Sequence, residues 1–110
     1  MLNFEEFCLK VSEDFMKYIS ASFSAENGYH AVVKDVVKNG KTFRVLLIDS
    51  PDKAIKPPVV PLDRLYDSIF LKKYNGDVVS TLKEIAASYE KNYTKAVEMA
   101  HKSAVDDNSL

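Results

Sequence analysis

Residues 29–48 read YHAVVKDVVKNGKTFRVLLI, and the fold is decided in this stretch. Two runs rich in β-branched and apolar residues flank Asn39-Gly40. That pair tolerates the positive φ which a two-residue type I′ turn imposes at both central positions. A β-hairpin follows. With a two-residue loop, Lys38 pairs with Lys41, Val36 with Phe43, Asp35 with Arg44 and Val32 with Leu47, so opposite charges meet across the strands at Asp35 and Arg44. A type I turn with a bulge at Gly40 shifts the register by one, and the residues alone allow both.

The hairpin is apolar on both faces. One face carries Val32, Val36, Phe43, Val45 and Leu47. The other carries Ala31, Val33, Val37, Leu46 and Ile48 around the Asp35–Arg44 pair. A sheet with one wet face alternates more cleanly than this. Either other elements cover both faces, or the second face meets a partner, and Val33, Leu46 and Ile48 are the candidate contacts there. Phe43 is expected to belong to the core.

Outward from the hairpin the signals are helical. Asn3 and Glu6 have capping-box spacing, and Phe4, Phe7, Cys8, Val11, Phe15, Tyr18 and Ile19 follow at intervals of three and four. The Ser- and Asn-containing SASFSAENG then reads as a loop. After the hairpin, DSPDKAIKPP is turn-rich, and Pro57, Pro58 and Pro61 confine Val59–Leu62 to a short edge strand. Asp63 is expected to cap a second helix bearing Leu65, Tyr66, Ile69, Phe70 and Tyr74, which Asn75-Gly76 ends in the left-handed manner. A last helix starts at Asp77 or Ser80. Its stripe runs from Leu82 through Ile85, Ala86, Tyr89, Tyr93, Ala96, Val97 and Ala100, and the polar VDDNSL is expected to fray.

The expected fold class is therefore α+β in the order α-β-β-β-α-α, a three-stranded antiparallel meander packed on helices with a long C-terminal helix. Residues 1–92 are expected to form one domain and 93–110 a helical extension. Tyr93, Val97 and Ala100 then lie beyond what a small sheet covers. Tyr89, Tyr93 and Val97 are accordingly further candidate partner contacts, either to a protein or to a second copy.

Composition narrows the function classes. The 110 residues are 46% hydrophobic, enough for a core, and carry 15 basic against 16 acidic residues for a net charge of -1. Bulk charge thus calls for neither nucleic acid nor an anionic membrane. The N-terminal MLNFEEFCLK lacks the basic and apolar regions of a secretory signal, and the apolar runs are too short to cross a bilayer, so the expected location is the cytoplasm. The single Cys8 sits in the apolar helical stripe and reads as a small buried hydrophobe.

Catalytic patterns are not legible. The serines stand in no nucleophile elbow, and His30, His101 and Cys8 lack metal-ligand spacing. Each of Gly28, Gly40 and Gly76 belongs to a turn or cap and not to a phosphate loop. The chain is read as a non-enzyme with no catalytic residue, no metal, no cofactor and no small-molecule substrate. A nucleic-acid alternative rests on Lys34, Lys38, Lys41 and Arg44 around the hairpin tip, although lysines there also keep a sheet from pairing with strangers.

Pro58–Tyr89 contains PVVPLDRLY, then YNGD, then LKEIAASYE, and with Asn3, Phe4, Phe7 and the Val37–Gly40 turn it resembles the N-terminal module of an uncharacterised domain-of-unknown-function family of gut Clostridia and their phages. The likeness spans about residues 1–92 through Leu62, Tyr66, Tyr74, Gly76, Ile85, Ala86, Tyr89 and Glu90. Pro61 departs from it by interrupting a strand that is more regularly apolar in the family. Members commonly continue past the equivalent of Leu110, so a short variant on a phage or mobile element is one expectation. The family has no assigned catalytic residues to transfer. What the resemblance implies is a non-enzymatic protein-interaction module of a Gram-positive bacterium or its phage, with an inhibitor of a host defence protein as a special case.

Overall fold

Asn3 opens the first helix through reciprocal hydrogen bonds: its Oδ1 accepts the Glu6 N–H at 2.9 Å and Glu6 Oε1 accepts the Asn3 N–H at 3.0 Å. In the computed structural model the chain orders as α1 (Phe4–Asp14), β1 (His30–Lys38), β2 (Lys41–Asp49), β3 (Val60–Pro61), α2 (Leu62–Arg64) and α3 (Val78–Ser109). The structure describes residues 1–109, with side chains through His101. The fraying expected of Val105–Leu110 lies outside the residues whose side chains are described. The architecture is α+β, three helices against a three-stranded antiparallel sheet ordered β1-β2-β3.

The hairpin adopts the register of the two-residue loop, with Lys38 opposite Lys41, Asp35 opposite Arg44 and Val32 opposite Leu47. Asn39 at φ 53° and Gly40 at φ 76° supply the two left-handed residues. β3 adds only two partners, Pro61 to Val45 and Val60 to Leu46. Its prolines limit it, since each lacks the N–H a longer ladder would use.

Three segments depart from the sequence expectation. The first helix tightens after Asp14 into a 3₁₀ turn (Phe15–Tyr18), still burying Phe15 against Tyr89 at 5.7 Å between ring centroids. Asp63 does not cap α2. Its Oδ2 instead accepts the Arg44 N–H at 3.4 Å, and the helix begins behind Pro61. Third, α2 continues without a break into a π-helix (Leu65–Lys73), whose wider turn sets Leu65 and Phe70 five apart on the buried side. Asn75 at φ 51° and Gly76 at φ 87° end it as anticipated. The carboxylate of Asp77 then accepts the Val79 and Ser80 N–H groups at the start of α3.

One core joins these parts. Phe7, Val11 and Phe15 meet Leu46 and Ile48 of β2, Leu62, Leu65 and Phe70, and Leu82, Ala86, Tyr89 and Tyr93 of α3. Complete burial of a side chain of this size stabilises by about 1.5–3 kcal/mol. The expected division at residue 92 is corrected here: Tyr93 is fully buried, and Ala96, Val97 and Ala100 pack against the same core.

Candidate interaction surface

Alternation along the hairpin sends Ala31, Val33, Leu46 and Ile48 to the face that joins the core, with Val60 of β3 beside them. Six residues read as candidate partner contacts are thereby reassigned. Leu46, Ile48, Tyr89 and Tyr93 are buried, while Val33 and Val97 are half-buried against the core. The physical reason is that α1 and α3 both lie on this face and consume its apolar surface. Lone charge on that face is neutralised at its rim. Arg44 donates to Glu5 Oε2 at 2.8 Å and to Asp35 Oδ1 at 3.2 Å, with its guanidinium 5.7 Å from the Phe4 ring centroid.

The opposite face tells a different story. Val32, Lys34, Val36, Lys38, Lys41, Phe43, Val45 and Leu47 share it by register, and none joins the main core cluster of the other face. Val45 and Leu47 in the central strand are buried, but Val36 is 37% exposed and Phe43 39% exposed. The expectation that Phe43 serves the core is overturned. Lys34, Lys38 and Lys41 surround this cross-strand pair, and among the described residues none of the three forms an ion pair. Arg44, grouped with them on sequence, points to the other face and is held by carboxylates.

The two edges of the sheet also differ. On β2, the N–H groups that point away from β1 outrun the short β3, and side chains receive them: Asp63 takes Arg44, and the Tyr89 hydroxyl takes Ile48 at 2.9 Å. β1 has no such cover. Among the described residues no backbone or side-chain group outside the hairpin hydrogen-bonds the backbone of Ala31–Val37. Alongside this free edge runs a groove of about 370 Å³ whose other wall is Glu5, Cys8, Leu9 and Ser12 of α1. Burial pushes the Cys8 thiol up from its ordinary value, with Arg44 opposing, so the thiol stays protonated and behaves as part of an apolar wall.

A second groove, about 300 Å³, lies between β3, the π-helix and Ile85, walled almost wholly by carbon. No group of three or more His, Cys, Asp or Glu side chains converges among the described residues, and no helix there is long and apolar enough to cross a membrane. No protein-family model, no curated protein and no solved structure matches the chain.

What sequence reasoning missed was which apolar face stays open. A usable signal was present. Lysines at 34, 38 and 41 fall on the Phe43 face, while the other face holds a neutralising Asp–Arg pair.

Proposed function

We propose that this chain is a non-enzymatic protein-interaction module whose recognition surface is the sheet face bearing Val36 and Phe43 within the ring of Lys34, Lys38 and Lys41. The observation that carries the reading is an apolar cross-strand pair left outside the core and surrounded by unpaired cations. An aromatic anchor with a charged rim is the arrangement that binding surfaces use, the anchor supplying affinity and the rim orientation and association rate. The matching partner surface is acidic with an apolar centre. An inhibitor that covers a host protein is one form such a module takes.

Affinity capture from the native host tests this with three baits: the wild type, Phe43→Ser with Lys41→Glu, and Val79→Ser as an exposed remote control. A protein retained by the wild type and the control but lost by the hairpin variant supports the reading. Retention unaffected by the hairpin variant overturns it.

One observation favours a second reading. An exposed aromatic beside lysines on a sheet is also a stacking platform for single-stranded nucleic acid. Three phosphate contacts would give a log–log salt slope of about −2. Anisotropy of a labelled pyrimidine single strand separates the two, because a surface built for a protein partner holds no oligonucleotide at physiological salt.

A further inference from the structure

The β1 edge and the α1 groove beside it form a continuous feature that the sheet face does not explain. A two-residue hairpin loop is closed by a hydrogen-bonded pair, here Lys38 with Lys41, and bonded and non-bonded positions then alternate. The backbone groups of Ala31, Val33, Asp35 and Val37 consequently point outward, away from β2. The same alternation sends the N–H groups of Arg44 and Ile48 off the far side of β2, where Asp63 and Tyr89 receive them. The chain thus closes one edge with dedicated side chains and prolines and, among the described residues, leaves four residues of the other edge unmet.

We infer that β1 accepts an extended, acidic segment of a partner protein as an added strand, seated between β1 and α1. This rests on the reading of the chain as an interaction module and names the contact and its chemistry. The helix wall repeats at 5, 8, 9 and 12, one stripe of α1 alongside the edge, and Leu9 is 61% exposed there. Side chains of the added strand alternate between two environments. Those on the core side enter the groove against Leu9, Cys8 and Val33. Arg44 is already held by Glu5 and Asp35 there, so apolar residues fit and further acids do not. Those on the open side stand opposite Lys34, Val36 and Lys38, where glutamate or aspartate is complementary. A second copy of β1 pairs less well: in-phase antiparallel registers centred at Lys34 and Asp35 oppose like charges, and one centred at Val33 leaves Lys34 opposite Val32 with no acid to meet it.

The probe is a synthetic peptide of about ten residues with glutamate at alternate positions and valine or leucine between. Its controls are the same peptide with lysine for glutamate, and the acidic peptide N-methylated on the bonds that would face β1. Titration into the intact chain is followed by amide spectra and hydrogen exchange. The acidic peptide is expected to slow exchange at Ala31, Val33, Asp35 and Val37, to bind about tenfold tighter than the lysine peptide, and to lose binding on N-methylation. Lys34→Glu with Lys38→Glu, both exposed, is expected to reverse the charge preference while the core resonances stay in place.

Shifts at Phe43 and Val36 without protection of the β1 amides overturn the strand-addition inference and leave the sheet-face reading standing. Insensitivity to N-methylation, protection of β1 by self-association, or protection by an oligonucleotide in place of the peptide each overturns it as well.

Discussion

The hydroxyl of Tyr89 takes the backbone N–H of Ile48 at 2.9 Å, across 41 positions of sequence, and donates its own proton to the Pro58 carbonyl at 2.8 Å. A side chain of α3 thereby stands in for the strand residue that β3 is too short to offer. Replacement by Phe keeps the ring in the core but strands a buried donor and a carbonyl, at about 1–3 kcal/mol for an unpaired buried group. Urea denaturation of Tyr89→Phe is expected to show a lowered midpoint at unchanged m value, with faster amide exchange at Ile48. An unmoved midpoint would show that neither bond contributes.

Burial also pushes the Tyr89 phenol up from 10.0 to about 12. In the unfolded chain the phenol ionises near 10. Between those values the unfolded state therefore holds fewer protons than the folded one, and stability falls as pH rises. The contribution is complete below pH 10 and is lost progressively toward 12. Tyr93, raised by its own burial, acts in the same sense. Urea midpoints across this window should decline more steeply for the wild type than for Tyr89→Phe, and parallel curves would refute the assignment.

Tyr93 makes the opposite prediction for the same chemical change. Its hydroxyl is buried and, among the described residues, has no partner within hydrogen-bond distance, the Ser50 side chain lying only near enough to oppose the rise that burial causes. Removing an unpaired polar atom removes its desolvation cost, so Tyr93→Phe is expected to be neutral or to stabilise by up to about 1 kcal/mol. The two Tyr→Phe variants measured side by side form an internal control, and equal losses in both would contradict the distinction.

Gly40 tests the turn. A Cβ there meets nothing within 4 Å, so the whole cost of Gly40→Ala is its φ of 76°. That strain is on the order of 1–2 kcal/mol. Gly40→Asn, which tolerates this conformation better, should lose less. Thermal melts that rank Gly, Asn and Ala in this order check it, and Ala equal to Gly would mean that the loop rebuilds as another turn type.

Asn3→Ala removes one half of the capping box and is expected to cost about 1 kcal/mol. Asn3→Ser, which keeps an acceptor, should recover most of it. Denaturation midpoints decide, and identical losses for Ala and Ser would show that α1 is held by its apolar stripe alone.

Local rules made much of this fold legible. The Asn-Gly turn, the capping box of Asn3 and Glu6 and the helix end at Asn75-Gly76 are all short-range, and each stands where the residues put it, while the hairpin takes one of the two registers that the residues allow. The choice of face was not legible. Val32 and Val33 are equally apolar neighbours pointing opposite ways, and only the helices reveal which side they cover. From the sequence Asp63 reads as a cap and Tyr89 as a partner contact, because the N–H groups they receive, those of Arg44 and Ile48, become available only where β3 is too short. The π-helix was also hidden, since residues 65, 69, 70 and 74 satisfy a helical stripe at either winding. The candidate surface inherited the error: Val33, Leu46 and Ile48 lie on the covered side of a correctly paired hairpin, and Tyr89, Tyr93 and Val97 on the stripe of α3 that packs against the same core.

The late sequence position of Tyr89 has a consequence for biosynthesis. At translation rates of about 5–20 residues per second, the 41 positions between Ile48 and Tyr89 correspond to about 2–8 seconds in which the nascent hairpin exists without its clamp. A two-stranded ribbon is marginal in water, and for that interval both of its margins are open. The lysines of β1 are in place from the start and Pro57, Pro58 and Pro61 follow soon after β2, so they guard the ribbon against its own siblings on a polysome before α3 can.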